Sequence, residues 1–277
     1  MAGKKKDTSL LHHLIGSRSL VWNLAKNDIK KKFAGSYFGV VWAFVQPVIT
    51  VLLYWFVFEK GLNSKATDLR TGIEIPFVLW LTAGLVPWFY FQEALNGGTG
   101  VLVEYSYLVK KVVFQIDMLP VVKMISALFT HLFFVAFTMV LFICMGYMPD
   151  WYALQVIYYS FCMILFATGL VYATSAVTVF FRDMKEVVGI LLQIGMWVTP
   201  IMWNFETMVQ IPGWAITVLK LNPMYYIVSG YRNALINHIG FWEDMGLTVY
   251  FWVVTAVLLF LGTTVFKKLR PHFADVL

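Results

Sequence analysis

A short basic segment near the start of the chain carries side chains suited to binding a charged partner. In "LVWNLAKNDIKK" (20–31), apolar residues recur at three- and four-residue spacing, and polar residues occupy the opposite side of a helical wheel. The polar side comprises Asn23, Lys26, Asn27, Lys30 and Lys31. Such a helix is typical of the headgroup plane of a membrane. Its basic face suits either anionic lipid or a cytoplasmic protein, and the pattern favours neither.

Motifs for catalysis or nucleotide binding are absent from the sequence. It contains no GxxxxGK[ST], HExxH or GxSxG pattern, and "GGTG" lacks the lysine of a phosphate-binding loop. Cys144 and Cys162 have no CxxC partner. His131 stands alone inside an apolar stretch, where an interhelical hydrogen bond is favoured over a proton site. We therefore expect no enzymatic site, metal or cofactor in this chain and no energy source of its own.

Most of the chain consists of long apolar stretches that could span a membrane. Hydrophobic residues make up 60% of the 277 residues and charged residues 13%, against about 45–50% and about 25% in soluble domains. Charge-free stretches long enough to cross a bilayer as helices, about 18–20 residues, occupy 33–58, 75–92, 124–149, 152–181, 187–205 and 245–266. The sequence predicts an integral membrane protein with six helical spans.

The distribution of Lys and Arg predicts the orientation of these spans. With a cytoplasmic N-terminus, 16 of the 21 basic residues fall on the inner side and five on the outer side. Both termini are then cytoplasmic. Asn63, Tyr147 and Gln210 are predicted outside, and Lys110, Lys185 and His272 inside. The basic clusters flank spans, which disfavours nucleic-acid binding.

Aromatic side chains are abundant in the predicted spans. They crowd spans one and two, and Trp197 and Trp203 flank Pro200, which should end or kink span five. Most fit interfacial belts, but a face of rings would also suit stacking against sugars. We predict a glycan path along one face of span one and around Pro200, lined by Trp42, Phe44, Tyr54, Trp197 and Trp203. The apolar but interrupted segment 204–244 predicts two short helices that dip into the outer leaflet.

Two inner loops differ in their predicted roles. The first, "NGGTGVLVEYSYLVKKVVFQIDMLP" (96–120), begins with glycines that should break the second span, and "VLVEYSYLV" could form a short separate helix. The second, "FRDMKE" (181–186), is predicted only to turn the chain.

Five blocks then carry a family resemblance: "NDIKKKFAGSYFGVVWAFVQP" (27–47), "LVKKVVFQIDMLP" (108–120), "VFFRDMKEV" (179–187), "TPIMW" (199–203) and "LNPMYYIVSGYRNAL" (221–235). In this order they resemble the permease subunits of bacterial ABC exporters for lipid-linked polysaccharides. This family includes O-antigen and capsule (Wzm-like) and wall teichoic acid (TarG-like) permeases. The resemblance covers the chain from about Leu20 onward.

The resemblance implies an all-α fold with an N-terminal amphipathic interface helix within 1–32 and a six-helix permease domain over 33–277, including two short re-entrant gate helices between spans five and six. Two copies would pair, and each would bind a separate cytoplasmic ATPase that holds ATP and Mg. A coupling helix at about 98–108 would contact that ATPase through Glu104 and Tyr105, beside Lys26 and Asp28 of the interface helix.

The same resemblance implies an undecaprenyl-diphosphate-linked glycan as substrate, moved across the bacterial cytoplasmic membrane. Its pyrophosphate would meet Lys30, Lys31 and Lys32, or alternatively Lys110 and Lys111. An external gate would include Asn222, Pro223 and Arg232, within 204–244. Three alternatives remain: an ABC permease for a small drug or lipid, a membrane-embedded glycosyltransferase, and an ion channel.

Overall fold

The computed structural model describes residues 18–32, 34–110, 115–204 and 212–277. Helices follow one another along almost the whole of this part of the chain. They are α1 (Arg18–Lys32), α2 (Trp42–Trp55), α3 (Phe77–Glu104), α4 (Ser106–Val109), α5 (Met118–Cys144), α6 (Gln155–Phe180), α7 (Met184–Val198), α8 (Gly213–Lys220), α9 (Pro223–Arg232), α10 (Met245–Leu269) and α11 (Phe273–Val276).

Short irregular turns and one small ladder complete the described structure. The turns are 3₁₀- or π-helical and span Gly39–Val41, Phe56–Gly61, Trp151–Leu154, Asn233–Asn237 and Arg270–His272. Strands β1 (Ala66–Thr67) and β2 (Glu74–Ile75) pair antiparallel in the connection between α2 and α3. The all-α prediction therefore holds apart from this two-residue ladder.

Helix α3 is the centre of the bundle, with 19 of its 28 residues buried. It packs against α2, α5, α6, α7 and α9. The prediction that glycines break this helix near residue 97 is wrong, because α3 continues to Glu104. A Cβ at Gly98 would lie 2.4 Å from Val171 of α6. Close packing against α6 thus requires glycine there and offsets its helical cost of about 1 kcal/mol.

Four helical segments among the described residues are long and apolar enough to cross a membrane: Trp42–Gly61, Met118–Cys144, Trp151–Phe180 and Met245–Val276. The chain is therefore an integral membrane protein. Predicted spans two and five are not in this set. Helix α3 carries Trp, Tyr, Gly and Pro residues that suit a buried central helix. Helix α7 has only 15 residues, about 22 Å, and ends before Pro200 because the residue preceding proline disfavours helix.

The described connections fall into two groups at opposite ends of the bundle. At one end, the backbone N–H of Leu69 donates to Asn237 (3.1 Å), and His238 lies 2.7 Å from Asp150. At the other end, Lys32 pairs with Glu93 and Arg270 with Asp117, both at 2.7 Å. Connections that are distant in the sequence thus meet at each of the two ends, and the number of spans stays a prediction.

The two short helices after α7 differ sharply in burial. Eight of the ten residues of α9 are buried, whereas none of the eight residues of α8 is. Both helices lie within the segment 204–244, where two short helices were predicted; residues 205–211 of that segment lie outside the described structure. Helix α9 is thus a core element of the bundle, and α8 is a peripheral one.

Candidate functional site

An open cavity of about 630 Å³ lies at the end of the bundle where α1 packs, between α1, α2, α3, α5 and the start of α7. We name this end the inner end, and the opposite end the outer end, after the predicted orientation. Its walls combine positive and negative side chains with aromatic rings. They include Asp28, Lys31, Lys32, Trp42, Phe89, Glu93, Glu104, Lys123 and Lys185. This inner cavity brings together residues that the sequence assigned to the interface helix, the coupling segment and the substrate path.

Lys123 of α5 is the hub of a polar cluster beside this cavity. Its ammonium lies 2.6 Å from Asp28 and 2.8 Å from Glu104. The hydroxyl of Tyr105 donates to the same Asp28 oxygen at 2.8 Å. The cluster therefore ties the interface helix α1 to the end of α3 and to α5. The predicted coupling residues Asp28, Glu104 and Tyr105 meet there.

Tyr105 is an internal anchor in this arrangement, with 3% of its surface exposed. Burial and the hydrogen bond to Asp28 raise the pKa of Tyr105 above its ordinary value, so the hydroxyl remains a donor. Its neighbour Tyr107 is 52% exposed. The coupling segment is not a separate helix over 98–108; it comprises about the last two turns of α3, Tyr105 and most of the single turn α4.

Helix α1 rests on the inner half of α5. Val21 and Ala25 pack against Met118 and Val122, and the hydroxyl of Ser126 donates to the carbonyl oxygen of Ala25 at 3.0 Å. The opposite face, with Asn23, Lys26 and Lys30, is exposed. The sequence segment predicted as a helix thus forms α1, which packs its apolar side on α5; its place at the membrane surface stays a prediction.

The predicted pyrophosphate lysines have different surroundings. Lys32 pairs with Glu93, and the ammonium of Lys31 lies 5.2 Å from the ring centre of Tyr105. Lys31 and Lys32 line the inner cavity, whereas Lys30 does not. Lys26 lies over the ring of Trp22 at 5.1 Å. Lys110 is exposed, and Lys111 lies outside the described residues.

The predicted path aromatics do not form one continuous face. Trp42 lines the inner cavity, but Phe44 contacts Phe133 of α5 in a tilted arrangement, with ring centres 4.0 Å apart. Trp42 and Phe44 are two residues apart, so their side chains point about 200° apart around the helix axis. Span one therefore cannot present both rings on one side. Tyr54 contacts Phe58 edge to face. Trp197 is 56% exposed on α7.

A second cavity, of about 290 Å³, lies at the outer end of the bundle. Trp80, Pro200, Trp203, Tyr225 and Arg232 are among the residues that line it. The indole N–H of Trp203 donates to the carbonyl oxygen of Trp197 at 2.8 Å, so the two predicted path tryptophans are held close together where α7 ends.

Arg232, at the end of α9, is 6% exposed and forms a clamp on the chain after α7. Its two terminal nitrogens donate to the carbonyl oxygens of Pro200 and Ile201, both at 2.7 Å, and Nε donates to the carbonyl oxygen of Trp80 at 3.3 Å. The guanidinium also stacks on the Trp80 ring, 3.3 Å from its centre. The planar guanidinium holds its N–H donors in a fixed geometry, which suits binding to several carbonyl oxygens at once.

Asn222 forms a second connection between these elements. Its side-chain oxygen accepts from the backbone N–H of Met224 at 3.0 Å and caps α9, and Pro223 occupies the first turn, where proline fits. Its amide nitrogen donates to the hydroxyl of Thr199 at 2.8 Å. The three predicted gate residues thus lie on α9 or at its start, and two of them bind the chain that follows α7.

Comparison with known families matches residues 19–236 to the ABC-2 type transporter membrane family. The chain belongs to this family. A similar protein is the O-antigen export system permease protein RfbA of Myxococcus xanthus, 25% identical over 266 residues, which are 96% of this chain and 98% of the relative. Two proteins of the same name from Klebsiella pneumoniae are 22% and 21% identical over 258 residues, covering 92% of this chain and 93% of each relative.

Membership of the ABC-2 family makes the chain the membrane component of a transport system. The family predicted from the five sequence blocks is confirmed, and relatives named as O-antigen export permeases match almost the whole chain. The alternatives of a glycosyltransferase and an ion channel have no support in these matches.

His131 serves this transporter as a hydrogen-bonding residue inside the bundle. Its Nε2 lies 3.2 Å from the hydroxyl of Ser160 and 3.1 Å from that of Tyr231. The favoured interpretation from the sequence, an interhelical hydrogen bond, is confirmed. The triad joins α5, α6 and α9, so it adds to the contacts that hold α9 in the core.

Sequence reasoning missed the hub role of Lys123 and the clamp formed by Arg232. Lys123 was available as the single charged residue of α5, which marks it as a residue that needs a partner. The partners themselves come from α1 and α3, and no local pattern predicts them.

Proposed function

We propose that this chain is the permease of an ABC exporter that moves a lipid-linked polysaccharide of the O-antigen class across the bacterial cytoplasmic membrane. The observation that carries this proposal is the match of nearly the whole chain to O-antigen export permeases from two organisms. The inner cavity suits it, because charged groups for a phosphate-bearing lipid and aromatic rings for sugars occur together there.

The proposed architecture has six spans with both termini in the cytoplasm. Helix α3 would be the second span, since neighbours on nearly all sides reduce its need for lipid-facing apolar residues. The short helix α7, continued by the chain clamped by Arg232, would be the fifth. The 16-to-5 distribution of basic residues supports this orientation.

The proposed working unit contains two copies of the chain and two cytoplasmic ATPase subunits, which hold ATP and Mg. Glu104 and Tyr107 are exposed at the inner end, so ATPase movement would reach the bundle through the turn that Tyr105 anchors. Lys123 would pass that movement to α1 through Asp28 and to α5.

The proposed path runs beside α2 and α7, which both pack on α3. Each has an exposed apolar side, including Trp42 and Leu53 on α2 and Ile194 and Trp197 on α7. These sides would face the second copy and the glycan. The external gate would include the segment from Asn222 to Arg232 together with α8.

Removal of the chain from its own cell tests the function directly. Deleting its gene should leave lipid-linked glycan inside the cell and remove glycan from the surface, and an intact copy should restore export. Inactivating the ATP site of the partner ATPase is the matched control and should give the same accumulation. Unchanged surface glycan together with altered drug sensitivity would favour the small-molecule exporter instead.

A further inference from the structure

A third cavity, of about 480 Å³, lies between α3, the end of α6 and the turn into α7. Its lining includes Gly100, Thr178, Arg182 and Lys185. It shares Asn96, Gly97, Glu104 and Lys185 with the 630 Å³ inner cavity, so the two form one groove across the inner end of α3. The sequence assigned only a turning role to the loop that contributes Arg182 and Lys185.

The cations of this groove differ in how their charge is compensated. Lys32 pairs with Glu93, and Lys123 pairs with both Asp28 and Glu104. Arg182 and Lys185 form no ion pair within the described part of the chain. Asp183 and Glu186 of the same turn are exposed and form no ion pair with them there.

Two glycines of α3 lie beside the lysine stems of this groove. The stem of Lys185 runs beside Gly100, with its Cδ 3.8 Å from the position of a Cβ there, and the stem of Lys123 runs beside Gly97 at 3.6 Å. Glycine at these two positions thus lets both lysine stems lie close to the backbone of α3. Asn96 and Thr178 add an amide and a hydroxyl to the walls.

We propose that Arg182 and Lys185 bind the phosphate groups of the polyprenyl diphosphate that carries the glycan. This inference rests on the proposed function and places the anion site in the α6–α7 turn. Two uncompensated cations match the charge of a diphosphate, and the guanidinium can bind phosphate oxygens in a bidentate manner. The sugars that follow would extend along the shared groove toward Phe89 and Trp42.

A lipid-binding measurement on the purified full-length chain tests the site. The chain is placed in phosphatidylcholine nanodiscs with undecaprenyl diphosphate, undecaprenol or phosphatidylglycerol, and bound lipid is counted by native mass spectrometry. The wild-type chain should retain undecaprenyl diphosphate in preference to the other two. The double variant R182Q/K185Q should retain roughly tenfold less bound undecaprenyl diphosphate than the wild type, because two charge-assisted contacts are lost.

The matched control is K267Q/K268Q, which removes the same charge from exposed positions at the inner end of α10 and should bind as the wild type does. Equal retention by R182Q/K185Q and wild type would overturn the site. So would equal binding of phosphatidylglycerol, which would make it a general phospholipid contact.

The binding assay contains neither ATPase nor glycan, so its outcome is independent of export. If the deletion experiment supports export and lipid retention does not depend on Arg182 and Lys185, the inference fails and the proposed function stands. If the deletion leaves surface glycan unchanged, the proposed function fails even where the chain binds a diphosphate.

Discussion

Arg232 brings a guanidinium into the bundle and surrounds it with carbonyl oxygens and one indole ring. Carbonyl oxygens at the end of α7 accept two of its hydrogen bonds, at 2.7 Å each. Hydrogen bonds to a charged group contribute about 1.5–3 kcal/mol each, and a buried charge that loses its partners is strongly destabilising. The residue therefore fixes where the chain turns after α7.

Gly84 of α3 lies beside the guanidinium of Arg232 and leaves the space that this group occupies. A Cβ at position 84 would lie 2.7 Å from a terminal nitrogen of Arg232 and 3.4 Å from Val228, so the guanidinium would have to shift. We expect Gly84→Ala to lower the Tm of the solubilised protein by roughly 5 °C, measured by thermal unfolding.

Gly189→Ala provides the control for that substitution. Gly189 lies in α7, and no atom of the described residues lies within 4 Å of its Cβ position. Alanine there should therefore leave the Tm unchanged or raise it slightly, because alanine favours helix. A Tm of Gly84→Ala equal to that of the wild type would mean that the clamp adapts freely.

Tyr105 offers a second test at the scale of one residue. Tyr105→Phe removes the hydrogen bond to Asp28 and should destabilise the protein by about 1–2 kcal/mol. Tyr107→Phe, in the same turn but 52% exposed, should have no measurable effect. Thermal unfolding of the two variants gives the comparison.

The pH dependence of the Tyr105 effect follows from its raised pKa. The folded chain keeps the phenolic proton where the unfolded chain would lose it, so this stabilisation is complete below about pH 10 and declines as the pH rises beyond that value. The difference in stability between wild type and Tyr105→Phe should therefore shrink above pH 10. A difference that grows there would contradict the buried, protonated hydroxyl.

At the scale of helices, α9 and the end of α7 behave as one unit. Asn222 binds Thr199 at the start of α9, Arg232 binds Pro200 and Ile201 at its end, and the hydroxyl of Tyr231 contacts His131 on α5. Helix α8 has no buried residue. Movement of an external gate is therefore easier for α8 than for α9.

A disulfide between positions 199 and 222 tests whether these elements move together. The amide nitrogen of Asn222 and the hydroxyl oxygen of Thr199 are already 2.8 Å apart. In a chain whose Cys144 and Cys162 are replaced by serine and alanine, T199C/N222C should oxidise readily and still export glycan. The reduced protein and each single cysteine are the controls. Loss of export only in the oxidised protein would show that α9 separates from α7 during transport.

The sequence predicted the helices and the family but not the contacts between helices. Apolar length and basic flanks are local properties, so the amphipathic α1 and the interruption at Pro200 could be predicted. The continuation of α3 past Gly98 could not, because it depends on Val171 of α6. The burial of Tyr105 likewise depends on Asp28, which is 77 residues away. The inner cavity was missed because its walls come from five helices.

At the scale of the whole molecule, the connections between helices gather at two ends of the bundle. The connections near residues 63, 147 and 238 gather at one end of the bundle, through contacts such as Arg70 with Glu243 and His238 with Asp150. Arg270 and Asp117 meet at the other end. Six crossings would place the first group outside and the second inside, in agreement with the charge distribution.

Single introduced cysteines test this topology in intact cells. In a chain lacking Cys144 and Cys162, a membrane-impermeant maleimide should label positions 63 and 147 from outside, because both are at the outer end of the proposed topology. Positions 110, 185 and 272 should label only after the cells are opened, since they lie with the basic residues of the inner end. Position 210, outside the described residues, is also expected to label from outside. Labelling of position 185 in sealed cells would place the α6–α7 turn on the outer face, and would refute both the six-span topology and the access of Arg182 and Lys185 to the inner leaflet.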